Sequence, residues 1–491
     1  MPLAGKMSRR LRKNMELLTQ TMGIGESFDL WERRLRIAQK DAALIWVDGL
    51  INDLALQRVI ESLLKLKQGD LAPNPAERLM KEYLNYAEAK EVDTYDDLIT
   101  EVLAGQVAIL VDGDSHAVMV DVREYPGREP DEPDLERVVR GSRDGMVETL
   151  VLNTVLIRRR LRDPSFRAEA IRVGRRSKTD VAVIYLKDVC NLDLVKKVKD
   201  QIARIQTDAI PMAEKTVEEF LVGPWGWWNP FPRVRFTERP DVAAVHLLEG
   251  HVIVLVDTSP SVIILPATLF HHVQHAEEYR ENTLVGVYIR WVRFLGIALS
   301  LVGPPLWVAL ALRPELLPEA LDFIGPRSQG NIPLLAQFFI AELGVDLIRI
   351  ALVHTPAALG TALGFIGAIL LGQIAISVGL LASETILYVA VAALGTFGTP
   401  SLEFALAVKL SRLALLGAVG VFGILGLAGG LLALTVLLGF TRSFGVPYLW
   451  PLIPFDWAAL KSVLVRRPIP VDTGRPSALK PQEPDKAPRD S

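Results

Sequence analysis

Four long runs without a single Asp, Glu, Lys or Arg constrain this chain more than any other feature. They are Phe294–Leu312, Thr355–Ser383, Thr385–Leu402 and Leu413–Thr441, of 19, 29, 18 and 29 residues. A helix needs about 20 apolar residues to cross the hydrocarbon core of a bilayer. Residues 294–440 carry 12 charged side chains in 147 positions, whereas the 491-residue chain holds 54 Lys and Arg and 57 Asp and Glu. The core of a water-soluble domain does not segregate charge so strictly. The sequence therefore predicts a membrane protein. A cytoplasmic α/β domain built from two similar subdomains is followed by an α-helical polytopic membrane domain of about four to six helices.

The near-neutral net charge of −3 gives no electrostatic footprint for nucleic acid. The single cysteine, Cys190, excludes an intramolecular disulfide and a four-cysteine zinc site. The first residues are basic but lack the apolar stretch of a signal peptide. The region before the apolar runs is thus expected in the cytoplasm, and Arg280, Arg290 and Arg293 precede the first crossing as the positive-inside rule asks.

Within that region a pattern recurs. Ala43-Leu-Ile-Trp-Val-Asp48 leads into the helical period of Asp53–Leu66, and Ala182-Val-Ile-Tyr-Leu-Lys187 leads into that of Asp193–Ile205. Further on, Leu103-x-Gly105-x-Val107-x-x-Leu110-Val111-Asp112 returns as Leu248-x-Gly250-x-Val252-x-x-Leu255-Val256-Asp257. Each pattern reads as strand, helix, then hairpin. The expected boundaries are a basic helical arm over 1–38, a first α/β subdomain over 39–135 and a connecting turn and helix over 136–164. A second subdomain covers 165–275 and a juxtamembrane helix 276–293. The helical membrane domain covers 294–440, and a cytoplasmic tail with a disordered end covers 441–491.

Several short motifs admit a functional and a packing reading. Arg140-Gly141-Ser-Arg143-Asp-Gly145, ahead of an amphipathic helix, is either an anion cradle or a charged turn between subdomains; no phosphate-loop spacing accompanies it. Pro and Gly make Pro224–Pro232, with its three tryptophans, a non-helical contact segment or a membrane-surface anchor. Thr237-Glu238-Arg239-Pro240-Asp241 reads as a charged turn. His271, His275 and Glu278 share a helical face at zinc-compatible spacing, but without the zinc-protease order a solvated juxtamembrane helix is the expectation.

In the apolar half, Ile332–His354 is interrupted only by Glu342, Asp346 and Arg349. Spacings of four and three put them on one helical face, with Arg349 as partner or gate for the acids. Two readings stand: a pore-lining helix offering a ring of carboxylates, or an interfacial helix with a local salt bridge. Gly360-x-x-x-Gly364, Gly426-x-x-x-Gly430 and the three-residue stripe through Gly417, Gly420, Gly423 and Gly426 are small-residue spacings for close helix packing. Lys409 and Arg412 are expected on the cytoplasmic side with the basic tail, which would leave one apolar segment re-entrant.

With these motifs in view the chain resembles the GerA spore germination family. The resemblance rests on the Arg140–Gly145 turn, Asn153 with Leu156-Ile-Arg-Arg-Arg160, and Thr237–Asp241. It rests too on Leu248-Glu-Gly-His251, Asp257-Thr-Ser-Pro-Ser261, His272–Tyr279 and Phe444-Gly-Val-Pro-Tyr448. It implies residence in the inner membrane of a bacterial spore, with the N-terminal domain on the core side, and a part in the exit from dormancy. It further implies a homo-oligomer, a pentamer, that acts as an ion channel releasing monovalent cations alongside other inner-membrane germination proteins. It supplies no catalytic residue, cofactor or metal, and no nucleophile–base pair stands out in the chain. The alternative is a non-conducting scaffold. A secondary transporter would show an inverted repeat in the apolar half, and none is visible.

Overall fold

The computed structural model describes residues 5–84, 88–125, 136, 138, 140–313, 315, 331–353, 364, 367, 369–468, 471 and 473–486. The chain divides into two compact units. One comprises Met1–Gly226, Val234–Pro266 and Ile469–Ser491; the other comprises Trp227–Arg233 and Ala267–Pro468.

The first unit is built on two five-stranded antiparallel sheets. Strands β1 (Leu30–Ile37), β2 (Lys40–Val47), β3 (Ala89–Val92), β4 (Val107–Val111) and β5 (Ala117–Val120) run in the order β1-β2-β4-β5-β3. Strands β6 (Phe166–Val173), β7 (Thr179–Leu186), β8 (Arg235–Thr237), β9 (Val252–Val256) and β10 (Val262–Leu265) run in the order β6-β7-β9-β10-β8. The two orders are the same when counted along the chain.

Local chemistry explains the parallel. The helices Asp53–Leu64 and Leu192–Ala203 each begin on an asparagine, Asn52 and Asn191, whose side chain accepts a backbone N–H of the first turn. Gly105 and Gly250 stand at φ +100° and +96°, where the chain leaves a helix to enter β4 or β9. That conformation favours glycine and accounts for the repeated Leu-x-Gly-x-Val spacing.

In the first sheet the period of two divides the strands between two cores. Ala43, Ile45, Val47, Ala108 and Leu110 face one side with the helices Leu11–Met22 and Tyr95–Leu103. Ala42, Leu44, Trp46, Val107 and Ile109 face the other with Asp53–Leu64. Alternation along buried strands of this kind requires a sheet covered on both faces. The expected basic arm over 1–38 is therefore corrected. Leu11, Met15, Leu18 and Met22 are core residues, and β1 falls inside the same range. An arginine-rich exposed face disguised an apolar one.

Over the described residues 473–486, the expectation of a disordered tail is corrected as well. Gly474 bridges to Asp485, and Gln482 binds the backbone of Lys187, Val189 and Cys190. Its polar groups are held by carbonyls, which composition does not reveal. The Pro224–Trp227 stretch forms one helical turn rather than a non-helical segment, because proline is tolerated in a first turn.

The second unit is helical, with helices Thr283–Ala311, Leu334–Val353, Ser383–Phe397, Leu402–Phe422 and Ile424–Phe440. Thr283–Ala311 and Leu402–Phe422 are long and apolar enough to cross a membrane; Ser383–Phe397 and Ile424–Phe440 are shorter apolar helices. The first runs through Pro304 and Pro305 without a break. The expected run Leu413–Thr441 is not one segment. Its glycine stripe is cut at Gly423, which stands at φ +61° between two helices. Lys409 and Arg412, expected on the cytoplasmic side, lie inside the helix Leu402–Phe422. Residues 314 and 316–330 of the expected loop, and 354–363, 365, 366 and 368, with Gly360 among them, lie outside the described residues.

The His271–Glu278 segment is not one solvated helix. It forms two short turns, Leu269–Val273 and Glu277–Arg280, and Glu278 is fully buried on Arg290 and Arg293. Glu278 is thus a salt-bridge acid, occupied by arginines that lie further along the chain.

Candidate functional site

The helices of the second unit approach closely where side chains are smallest. A Cβ on Gly395 would meet the Gly296 carbonyl oxygen at 2.1 Å, so backbone lies against backbone between Thr283–Ala311 and Ser383–Phe397. Beside that contact Ser300 donates to the Ala392 carbonyl at 2.9 Å and lies 3.2 Å from the Thr396 hydroxyl. On the third helix Gln337 accepts from the Ala382 N–H and the Thr385 hydroxyl, at 2.7 and 3.1 Å. A polar seam therefore runs through an apolar bundle, each member paired, as burial demands.

Four charges sit on that seam. Glu342 accepts from Arg412 Nε at 2.9 Å and lies 2.8 Å from Arg412 Nη2. Lys409 lies 3.0 Å from the other Glu342 oxygen and 2.6 Å from Asp346. Arg412 also donates to the Ser300 carbonyl and hydroxyl at 3.0 and 2.6 Å. Two carboxylates and two cations cancel, which is the condition under which charge is tolerated away from water. The burial is graded: Glu342 and Arg412 are only 2% and 1% exposed, while the Asp346 side chain is 36% exposed.

The spacing offers Arg349 as partner or gate for Glu342 and Asp346; the cations beside the two acids lie on a facing helix. Their cations are Lys409 and Arg412, and Arg349 is half-exposed and makes no ion pair among the described residues. Neighbours on one helix are visible in a sequence, whereas partners on a facing helix are not. Lys409-x-x-Arg412, basic at a three-residue spacing within an apolar run, is the signal that mirrors Glu342 and Asp346. Ser300 and Gln337 gave none. Of the glycines, Gly420 receives the Leu335 side chain, Gly426 faces the Ala418 carbonyl and Gly430 the Leu415 side chain. Gly364 and Gly417 have open space around them among the described residues.

In the first unit the motifs at 140–145 and 237–241 come together. Buried Arg239 donates to the Glu136 and Ser142 carbonyls at 3.1 and 3.0 Å and pairs with Asp241 at 2.8 Å. Thr237 donates to the Glu136 carboxylate, and the Glu238 carbonyl accepts from the Met146 N–H at 2.7 Å. Pro240 opens the helix Pro240–Glu249, where its missing N–H costs nothing. Asn153 clasps the Val147 backbone through both ends of its amide. Arg160 holds Ser142 and Asp144 at 2.8 and 2.9 Å. Gly141 turns at φ +126°, Gly145 is buried, and Arg140 and Arg143 are exposed. The turn is thus occupied by its own neighbours. Arg158, marked in the sequence only as part of the Leu156–Arg160 motif, is wholly buried on Asp29 and stacked 4.2 Å over Phe166.

This set of motifs, spread over both units, agrees with the comparisons. The family model described as Bacillus/Clostridium GerA spore germination protein matches residues 16–478. The chain belongs to the GerA family. It is 47% identical over 477 residues to stage V sporulation protein AF of Bacillus subtilis, covering 97% of this chain and 96% of that relative. It is 29% identical to spore germination protein KA of the same organism, over 94% and 85% of the two chains. Among solved structures, it is similar to the N-terminal domain of the A subunit of the Bacillus megaterium spore germinant receptor GerK3. The TM-score is 0.43 at 26% identity, over 54% of this chain and 98% of that one. This GerA-family chain is thus a spore germination and sporulation protein with an α/β sheet region and a helical C-terminal part.

Proposed function

We propose that the chain is one subunit of an oligomeric cation channel in the inner spore membrane, with Asp346 rather than Glu342 beside the conducting path. The apolar helices and the family's role in germination support the setting. The graded charge set supports the assignment. Glu342 is enclosed by two cations of its own chain and has no room for a third. Asp346 stands between exposed Leu343 and Leu347, with half-exposed Arg349 on the same face. Copies packed around an axis would turn that face into a ring of carboxylates, which favours cations. Lys409 bridges the enclosed acid and the open one, so a shift of its ammonium toward Glu342 would bare Asp346; this is a two-position element of the kind a gate requires. Arg349, three residues on, is placed to tune the same face.

The test is cation flux through protein reconstituted in vesicles. Asp346→Asn is expected to lower flux by about tenfold while the assembly elutes unchanged, as removal of a carboxylate ring should. Unaltered conductance and selectivity would sink the assignment. The exact cancellation of charge favours a second reading, a non-conducting scaffold that recruits other germination proteins. A scaffold would pass no current under any trigger.

A further inference from the structure

Between the last long helix and the tail, Leu452, Ile453, Pro454 and Phe455 form four consecutive exposed apolar residues, followed by Trp457. Phe455 and Trp457 are 68% and 63% exposed, and their rings stack at 6.3 Å. In water such a run is a liability that a protein retains only for a contact. The helix Trp457–Leu464 then turns Leu460 and Val463 inward and presents Trp457 and Lys461, four residues apart, on its outer face.

This element is held rigidly to the start of the first long apolar helix. The last carbonyls of Trp457–Leu464, which a helix cannot satisfy itself, are taken by Arg290: its Nη1 donates to Ser462 and Val463 at 3.2 and 2.6 Å. Arg466 donates to the carbonyls of Tyr279 and Glu281 at 2.7 and 2.6 Å. Glu278 pairs with both Arg290 and Arg293. Gly286 admits this packing, since a Cβ there would meet the Glu278 carbonyl at 2.5 Å. On the same helix, Tyr288 and Trp291 are exposed near its beginning.

We propose that Leu452–Lys461 is an interfacial anchor seated in the headgroup–acyl boundary of a phospholipid bilayer, fixing the depth at which the Thr283–Ala311 helix enters. The proposal rests on the membrane setting argued above. Its occupant is identified by chemistry. Amphipathic aromatic rings and a basic side chain on one face are the composition that partitions to a bilayer's interface, where ring and ammonium meet headgroups and the aliphatic side chains reach the acyl tails. The arginine clamp makes the anchor and the first helix one body.

Depth measurement tests it on the full chain in phospholipid vesicles. Because Cys190 is the only cysteine, a Cys190→Ser background accepts a single nitroxide at Phe455→Cys, or independently at Lys461→Cys. Collision with oxygen is compared with collision with a water-soluble nickel chelate. Leu299→Cys on the first long helix and Leu54→Cys on the α/β unit serve as references; both positions are exposed. The anchor predicts an oxygen-to-nickel ratio at 455 several-fold above that at 54 and below that at 299, with 461 shallower than 455. A deep reading at 299 with an aqueous one at 455 overturns the anchor alone. Aqueous readings at both overturn the membrane setting and the anchor with it. Shielding of 455 from both reagents means that protein covers it, which also overturns the proposal.

Discussion

In the α/β unit Arg158 meets Asp29 with both side chains wholly buried. In the helical unit Arg412 and Lys409 share Glu342, and Lys409 reaches on to a half-exposed Asp346. The first arrangement is closed: one cation, one acid, and an aromatic ring covering the guanidinium. The second is open at one edge, where Lys409 lies between an enclosed acid and a half-exposed one. Closed pairs fix geometry, because moving either member leaves a bare charge in a dry place. Open ones allow two arrangements of similar energy. The comparison thus separates a cation held by one acid from a cation placed within reach of two.

The strongest way to break that contrast is Glu342→Ala, which strands two cations in the bundle. A loss of about 5 kcal/mol is expected, read as failure of the detergent-solubilised protein to assemble or as a lowered unfolding midpoint. A neutral effect would mean that water already reaches Glu342. Arg158→Ala should cost somewhat less, about 3–4 kcal/mol, because only Asp29 is left bare; unchanged stability would show that the α/β pair is not closed.

Acidification probes the α/β unit by another route. Burial pushes His251 down to about 4, and burial, with His251 nearby, also lowers His246. Folded histidines that resist protonation cost nothing above the ordinary value near 6.5. Below it the unfolded chain takes up the proton first, so stability falls from pH 6.5 to about 4. The loss for His251 is about 3 kcal/mol. Denaturant midpoints at pH 7.5 and 4.5 measure it, and His251→Leu should flatten the slope.

Cys190 sharpens the same point at smaller cost. Burial, with Asp188 nearby, pushes its thiol up to about 12, so it should resist alkylation at pH 8 until the unit unfolds. Rapid labelling of native protein would contradict the closed core. Smallest of all is the stability effect of Asp346→Asn, below about 1 kcal/mol because the pair is partly solvated. Its consequence belongs to flux rather than folding.

Periodicity made much of this legible. The strand and helix patterns before and after residue 140 follow from alternation and from asparagine caps, which act within a few residues of themselves. Gly105 and Gly250 announced their turns in the same way. The arm over 1–38 was misread because the residues that bury Leu11, Met15 and Leu18 come from other elements, the strands of the first sheet and the helix Tyr95–Leu103. Gly423 looked like one of a stripe, and only its backbone conformation shows that it ends a helix.

What the sequence determined alone was local: where apolar residues accumulate, which segments coil or extend, and that three charges share one face of Leu334–Val353. Family membership also came from it, through motifs spread over most of the chain. What tertiary structure decided was partnership. Glu342 and Asp346 face Lys409 and Arg412 because two helices pack side by side, and Arg290 caps a helix at Ser462, 172 residues further on, for the same reason. Coulomb and hydrogen-bond energies depend on distance in space, and spacing along the chain measures that distance only within a single element.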